Sequence, residues 1–398
     1  MVTVSEQYED FPYPARDPAD EAKRLIGGSP SRPSEMDHHL WGGQRDWSNP
    51  LRVLIAGGGT GDALIQLAQL MTSAGAPYDI TYIDLSKASR AIAEARAQAR
   101  GLTGIRFLTG SLLDAPDYGP FDYIDCCGVL HHLPDPDAGF AALRAALAPG
   151  GGLGCMVYAP YGRSGVYPLQ EAFGALFAGL PAKDRLTKAK EIVANLPEGH
   201  PFAANRNLMD HEQSDAGFYD LLLHSQDRPY SVTELLETCA RTGWRLQSFV
   251  QPGLYDLARL TEVPADMAPH SAMAVAEKLR GTLRKHVAYL VPDDEDRALP
   301  KPSQTRLVPR FQLPQPARVA QMIAQGKPLP VSLPEAQTQI ALPRDAAPLI
   351  AAADGRRSLA QIAQATRMDP LRFGSLWAKV HKEFTDWGLL HYTRFGLG

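Results

Sequence analysis

The sequence predicts an α/β protein: a doubly wound, mostly parallel sheet with a helical insertion and a small C-terminal winged-helix-like module. Three observations carry this. Apolar runs RVLIAG, DITYIDLS, IRFLTG, FDYIDCCGVL and GGLGCMVY alternate with helix-compatible stretches, most plainly residues 87–100 and 137–147. Such alternation specifies strands buried on both faces, with helices crossing between them. The first run ends in the turn Gly57-Gly58-Gly59-Thr60-Gly61, which leads into the helical text ALIQLAQL. Helical text without strands then fills residues 161–228 and returns near the C-terminus.

At 398 residues the chain is long for one domain of roughly 100–200 residues, so two or three compact units are expected. Hydrophobic residues at 44% and charged residues at 21% exclude wholesale disorder and collagen-like repeats. A net charge of −4, with no long single-sign run, gives no general attraction to nucleic acid or anionic lipid. No run of apolar residues is long enough to span a bilayer, and no membrane partner is expected. The opening MVTVSEQYEDFPYP lacks a basic n-region and an apolar h-region, so a cytoplasmic location is the expectation. Cys126, Cys127, Cys155 and Cys239 show neither C-x-x-C nor zinc spacing, which predicts free thiols and no metal.

Residues 1–50 are polar and broken by Pro12, Pro14, Pro18, Pro30 and Pro33, with a short helical candidate over 17–25. They read as a docked strap, in which Tyr8, Phe11 and Tyr13 serve as anchors or as a lid. The α/β unit is assigned to residues 51–256, interrupted by the insertion FGALFAGL…RLTKAKEIVANL over about 161–228. Ser231 and Glu234 form a capping-box pattern ahead of ELLETCARTG, followed by the strand candidate WRLQSFV and closure near Tyr255. Residues 272–290 read as a helix, and 257–335 as that helix plus a proline-rich connector. Residues 336–398 read as three helices and a two-strand wing in GLLHYTRF. The best recognition-helix candidate has Arg372, Lys379 and Lys382, diluted by Glu383 and Asp386, so nucleic acid is an unlikely partner.

The dinucleotide pattern G-x-G-x-x-G would need a glycine where Asp62 stands, so the register does not suit NAD. Gly57, Gly59 and Gly61 leave room instead for a ribose and an amino-acid tail, the shape of S-adenosylmethionine. Asp84 ends the next strand, where a carboxylate can accept hydrogen bonds from ribose hydroxyls. Later strands end at TGSLLDAP and DCCGVLHHLPDP, and LAPGGGLGCMVY supplies a fifth.

On this ordered set of turns, residues 51–157 resemble the class I S-adenosylmethionine-dependent methyltransferases. The resemblance implies a Rossmann-like sheet, S-adenosylmethionine as cofactor and S-adenosylhomocysteine as product. It also implies cofactor contacts at Gly57, Gly59, Thr60, Gly61, Asp84, Leu85, Ser111, Leu112, Cys127 and Gly128. Two positions depart from the family: Ile55 stands where an acid is common, and Ser111 where an aspartate is. Asp114 or the Leu112 amide would then serve the adenine. The strings VLIAGGGTG, YIDLS, GVLHHLPDP and YDLLLHSQDRPYSVTELLE further resemble bacterial methyltransferases related to the rickettsial-type protein lysine methyltransferases. That implies an N or O acceptor on a protein or peptide side chain, with a small metabolite as the alternative; separately, a homodimer is a possible assembly.

Because the sheet supplies the cofactor half, the insertion has to supply the acceptor half. Residues 210–228 concentrate His211, Glu212, Asp215, Tyr219, Asp220, His224 and Asp227, of which Tyr219, Asp220 and His224 are the catalytic candidates. His131 and His132 read more readily as a cap and a satisfied wall than as a base or ligands. The rival readings are a cofactor-binding regulator without chemistry and a winged-helix nucleic-acid adaptor.

Overall fold

A computed structural model describes residues 3–313 and 315–396. Seven strands, β1 (Leu51–Ala56), β2 (Tyr78–Asp84), β3 (Ile105–Thr109), β4 (Phe121–Cys127), β5 (Leu147–Tyr158), β6 (Trp244–Phe249) and β7 (Lys285–Pro292), form the central sheet. Their order is β3-β2-β1-β4-β5-β7-β6. The first five strands are parallel, and β7 runs antiparallel to both β5 and β6. Strand β1 shows why its apolar run is unbroken: Val53 and Ile55 join one core while Leu54 joins the other. Helices cover both faces, so neither side of the strand meets water.

The helix expected over 272–290 runs instead from Pro269 to Arg280 and stops at Gly281, whose φ of 62° ends it in a left-handed cap. The following HVAYLVP, rich in β-branched and aromatic residues, becomes β7. The sheet is therefore completed some thirty residues after Tyr255, by a strand read from sequence as helix. The supposed connector is also ordered: it holds the strand Pro309–Phe311, the helix Pro316–Ala324 and the first strand of the hairpin Leu329–Leu333 with Ala336–Ile340. Prolines misled the reading because one at a first helical turn starts a helix as readily as it breaks one.

Three C-terminal helices, Ala347–Ala352, Leu359–Thr366 and Pro370–Asp386, are present. The two-strand wing is a single strand, Leu390–Tyr392, paired antiparallel with Pro309–Phe311. Its Leu390 and Tyr392 side chains join the apolar core, and its pairing partner comes from the connector and not from GLLHYTRF itself. Trp377, Val380 and Phe384 share one apolar interior with residues of the sheet, and Arg259 pairs with Asp386 at 2.6 Å. The insertion carries its own core, in which Phe173, Leu186, Phe218 and Leu222 meet.

The N-terminal strap is more structured than its composition suggests. Val4–Asp10 is a helix, and the candidate over 17–25 contracts to the 3-10 turn Pro18–Ala22. Pro33–Trp41 is a helix buried along most of its length against the sheet. Its Glu35 accepts from Ser29 at 2.8 Å and Tyr289 at 3.0 Å, while Asp37 accepts from Trp47 at 3.1 Å and Thr393 at 2.8 Å. Buried polar groups of this kind look like surface in a sequence, because their partners are distant along the chain.

Candidate active site

The turn after β1 takes its shape from glycine. Gly57, Gly59 and Gly61 have φ of 68°, 51° and 97°, the region closed to most side chains. A Cβ on Gly59 would lie 2.8 Å from the Tyr13 carbonyl oxygen. The turn opens on a cavity of about 930 Å³ at the carboxyl ends of the parallel strands, where such sheets bind ligands. At the end of β2, Asp84 accepts from the Gly59 and Ser86 amides, each at 2.8 Å, and burial pushes its carboxyl up.

Gly57, Gly59, Asp84, Leu85, Ser111, Leu112, Cys127 and Gly128 all line this cavity. Thr60 and Gly61 do not. Thr60 is fully buried and donates to the Pro14 carbonyl at 2.7 Å, while Gly61 caps the helix Asp62–Ser73. Ser111 turns its hydroxyl to accept from the Leu113 amide at 3.1 Å, and Asp114 lies outside the lining. The cradle, its flanking carboxylate and the room beside them fit an adenosyl amino acid.

Across the cavity, Asp220 is 3% exposed and accepts from two phenols, Tyr8 and Tyr158, each at 3.0 Å. Burial raises its carboxyl, and burial together with Asp220 holds both phenols well above their ordinary range, so they remain donors. His224 stands behind this pair with its Nε2 3.3 Å from the Tyr8 hydroxyl and its ring stacked on His132, centroids 3.7 Å apart. The Gln226 backbone orients both rings. Its carbonyl lies 2.8 Å from His132 Nδ1, which therefore donates to it. Its amide donates to His224 Nδ1 at 3.1 Å, so His224 keeps its proton on Nε2; burial holds the ring well below the usual histidine range, hence neutral.

Ligand atoms of His132, Asp220 and His224 lie within 4.8 Å of one another. Metal ligation through His224 Nε2 would require moving its proton to Nδ1, against the Gln226 amide, so the backbone opposes it. Tyr219 does not face the cavity. It belongs to the insertion's own core and stacks on Phe11 at 4.9 Å, because neighbouring residues of one helix point about 100° apart. Of the three catalytic candidates, the structure therefore brings Asp220 to the wall, keeps His224 one layer behind it, and places Tyr219 elsewhere. Sequence reasoning missed Tyr158 and Arg163. The signal was positional, since both follow directly from the carboxyl end of β5. Arg163 lies 3.6 Å over the Tyr158 ring and pairs with Asp227 at 3.4 Å.

The strap crosses the mouth and is fixed to the cofactor turns. Tyr8 O accepts from Ser86, Glu9 caps the helix Lys87–Ala99, and Arg16 pairs with Asp62 at 2.6 Å. Arg96, fully buried, joins Glu21 at 2.6 Å to Asp62 at 2.8 Å.

A seven-stranded sheet in this order, with a glycine cradle and a carboxylate closing β2, defines the class I methyltransferase fold. The comparisons agree: residues 54–153 match the family model described as a methyltransferase domain, so the chain carries a class I S-adenosylmethionine-dependent methyltransferase domain. An uncharacterized protein of Synechococcus sp. is 39% identical over 196 residues, 46% of this chain and 45% of that one. The ubiquinone biosynthesis O-methyltransferase of Bordetella avium is 35% identical over 101 residues, 25% of this chain and 39% of that one. The chain thus spans less than half the length of these relatives. PKMT2 from Rickettsia typhi, solved in complex with AdoHcy, has a TM-score of 0.62 at 15% identity over 91% of this chain and 75% of its own, which is a likeness of fold. No helix among the described residues is long and apolar enough to cross a membrane.

Proposed function

We propose that this protein transfers a methyl group from S-adenosylmethionine to an amine, most readily the side-chain amine of a protein or peptide. The observation that carries this reading is Asp220, a buried carboxylate held between two phenols on the cavity wall, with no Lys or Arg paired to it among the described residues. An ammonium seated there would find its counter-charge, with tyrosine faces beside it.

The bound cofactor supplies an electrophilic methyl group. Gly57 and Gly59 let the backbone approach its nucleoside, and Asp84 is placed to accept from its ribose. Asp220 receives the ammonium of the acceptor, orients it and takes up its proton, a service worth ~10²–10⁴-fold in rate. Tyr8 and Tyr158 hold both carboxylate oxygens, so the base cannot rotate away. The strap excludes water from one side of the mouth, and positioning supplies the remainder.

The fold shared with PKMT2 over most of the chain and the resemblance to rickettsial-type protein lysine methyltransferases support a protein acceptor. The Bordetella avium relative supports a second reading, a small hydroxylated metabolite. Transfer of tritiated methyl decides between them. Lysine-rich peptides should become labelled, and acetylating their amines should abolish the label. Label confined to a low-molecular-weight extract would establish the second reading.

A further inference from the structure

Asp125 is another buried carboxylate of the cavity wall that has no cationic partner among the described residues, and the mechanism above does not use it. It is 2% exposed and lies on β4 directly beside Ile55 of β1, two residues before Cys127 as Ile55 is two before Gly57. Alternate strand residues share a face, so Asp125 stands on the same side of the sheet as Ile55 and close to the glycine turn. Its protein partners are neutral donors: the Ser31 and Tyr123 hydroxyls, the latter at 3.3 Å, both reach Oδ2, and the Cys127 thiol also hydrogen-bonds to the carboxylate. Burial raises the carboxyl to about 6, so it is ionised at neutral pH in a place that disfavours the charge. A buried charge without a counter-ion is costly, and a ligand cation would relieve it.

The placement identifies the cation. Strands β2 and β4 flank β1, with Asp84 on one side of the glycine turn and Asp125 on the other. A nucleoside anchored at Asp84 would extend its amino-acid tail across the turn toward Asp125, and that tail carries one primary ammonium. We infer that Asp125 is the carboxylate that binds the α-ammonium of the cofactor, from the strand beside Ile55. This rests on the cofactor reading above, and Asp220 is left free for the acceptor.

The experiment is calorimetry with two probes: S-adenosylhomocysteine and its deaminated analogue, in which hydrogen replaces the α-amino group. Wild-type protein should prefer the former by about 10- to 100-fold, the range of a charge-assisted hydrogen bond. Asp125→Asn keeps the shape and the Ser31 contact; it should lose that preference while binding the analogue as wild type does. A variant that still discriminates fully, or one that loses both ligands equally, would overturn the assignment. Wild-type protein that bound neither probe would instead refute the cofactor reading. Should the variant not fold, wild-type protein offers a second measurement, since the preference should fall as pH drops from 8 to 5 through the titration of Asp125. The titratable groups around Asp125 are Tyr123, Cys126 and Cys127 on its own strand, Cys155 on β5, Tyr289 on β7 and Glu35 beneath. Of these only Glu35 titrates near this range, and it acts on both probes alike. A preference unchanged with pH would count against Asp125.

Discussion

The Tyr8 hydroxyl donates to Asp220 at 3.0 Å, although 212 residues separate the two. With Tyr158 on the other carboxylate oxygen, three distant segments converge on one side chain: the strap, the end of β5 and the insertion. The acceptor half of the site therefore exists only when the strap is docked, and the strap docks on the same turns that cradle the cofactor.

Asp220→Asn removes the base but keeps both phenol contacts within reach. Single-turnover methyl transfer should fall by ~10²–10⁴-fold while the affinity for S-adenosylhomocysteine is unchanged. Tyr8→Phe should fall by only about tenfold, since Tyr158 still holds one oxygen. Equal losses of cofactor affinity in both variants would place Asp220 in the wrong half of the cavity.

Asp84→Ala should weaken S-adenosylhomocysteine by about 10- to 100-fold in calorimetry. Two effects add here: the ribose loses its acceptor, and the Gly59 amide loses the oxygen that fixes the turn at 2.8 Å. Asp84→Asn, which retains one acceptor oxygen, should recover part of the loss. An unchanged dissociation constant would mean that the nucleoside lies elsewhere.

The cofactor half was legible because its signals are local. Strand, glycine turn and helix follow one another within about twenty residues, and Asp84 lies at the next strand end. The acceptor half was legible only in outline. Asp220 could be suspected from a polar cluster, but Tyr219 beside it looked as good, and only the helical rotation separates them. The role of Tyr8 was invisible beyond its aromaticity, because nothing near it in sequence names Asp220. Strand β7 was missed for a different reason. Only residues 281–284 separate it from its upstream helix, with no proline between them, and the single glycine at 281 was a weak mark for so sharp a change.

Glu35, buried 3% exposed between Ser29 and Tyr289, has its carboxyl raised by desolvation to about 7. A raised carboxyl favours the folded state while protonated, so its contribution is complete below the unfolded value near 4.5 and is lost as pH rises through about 7. Glu35→Gln never ionises. The stability of the variant relative to wild type should rise by about 3 kcal/mol between pH 4.5 and 8, whatever constant offset the amide introduces. Urea unfolding at the two pH values measures the difference. A difference independent of pH would show that Glu35 ionises as freely folded as unfolded.

The strap is held by a buried ion network, and its release should be separable from loss of the cofactor turn. Glu21 and Arg96 are buried side by side, and Arg96 also reaches Asp62 at 2.8 Å and the Thr60 carbonyl at 2.8 Å. Removing one member of a buried pair costs about 3–5 kcal/mol because the other charge is left uncompensated. Here Asp62 retains Arg96, so Glu21→Gln belongs at the low end of that range. The cost falls on the strap, since Glu21 tethers residues 18–22 to Arg96 and Arg100 of the helix Lys87–Ala99 and its C-cap. Limited proteolysis should therefore cut residues 11–30 faster in the variant. Methyl transfer should fall with the undocking of Tyr8, and saturating S-adenosylhomocysteine should restore protection, because the ligand and the strap share Gly59 and its neighbours. Arg96→Met combined with Glu21→Gln should cost less than the sum of the single changes, since neither Glu21 nor Arg96 is then left facing a neutral partner. Proteolysis at the wild-type rate in Glu21→Gln would show that Arg16 with Asp62 and Thr60 with Pro14 suffice to hold the strap.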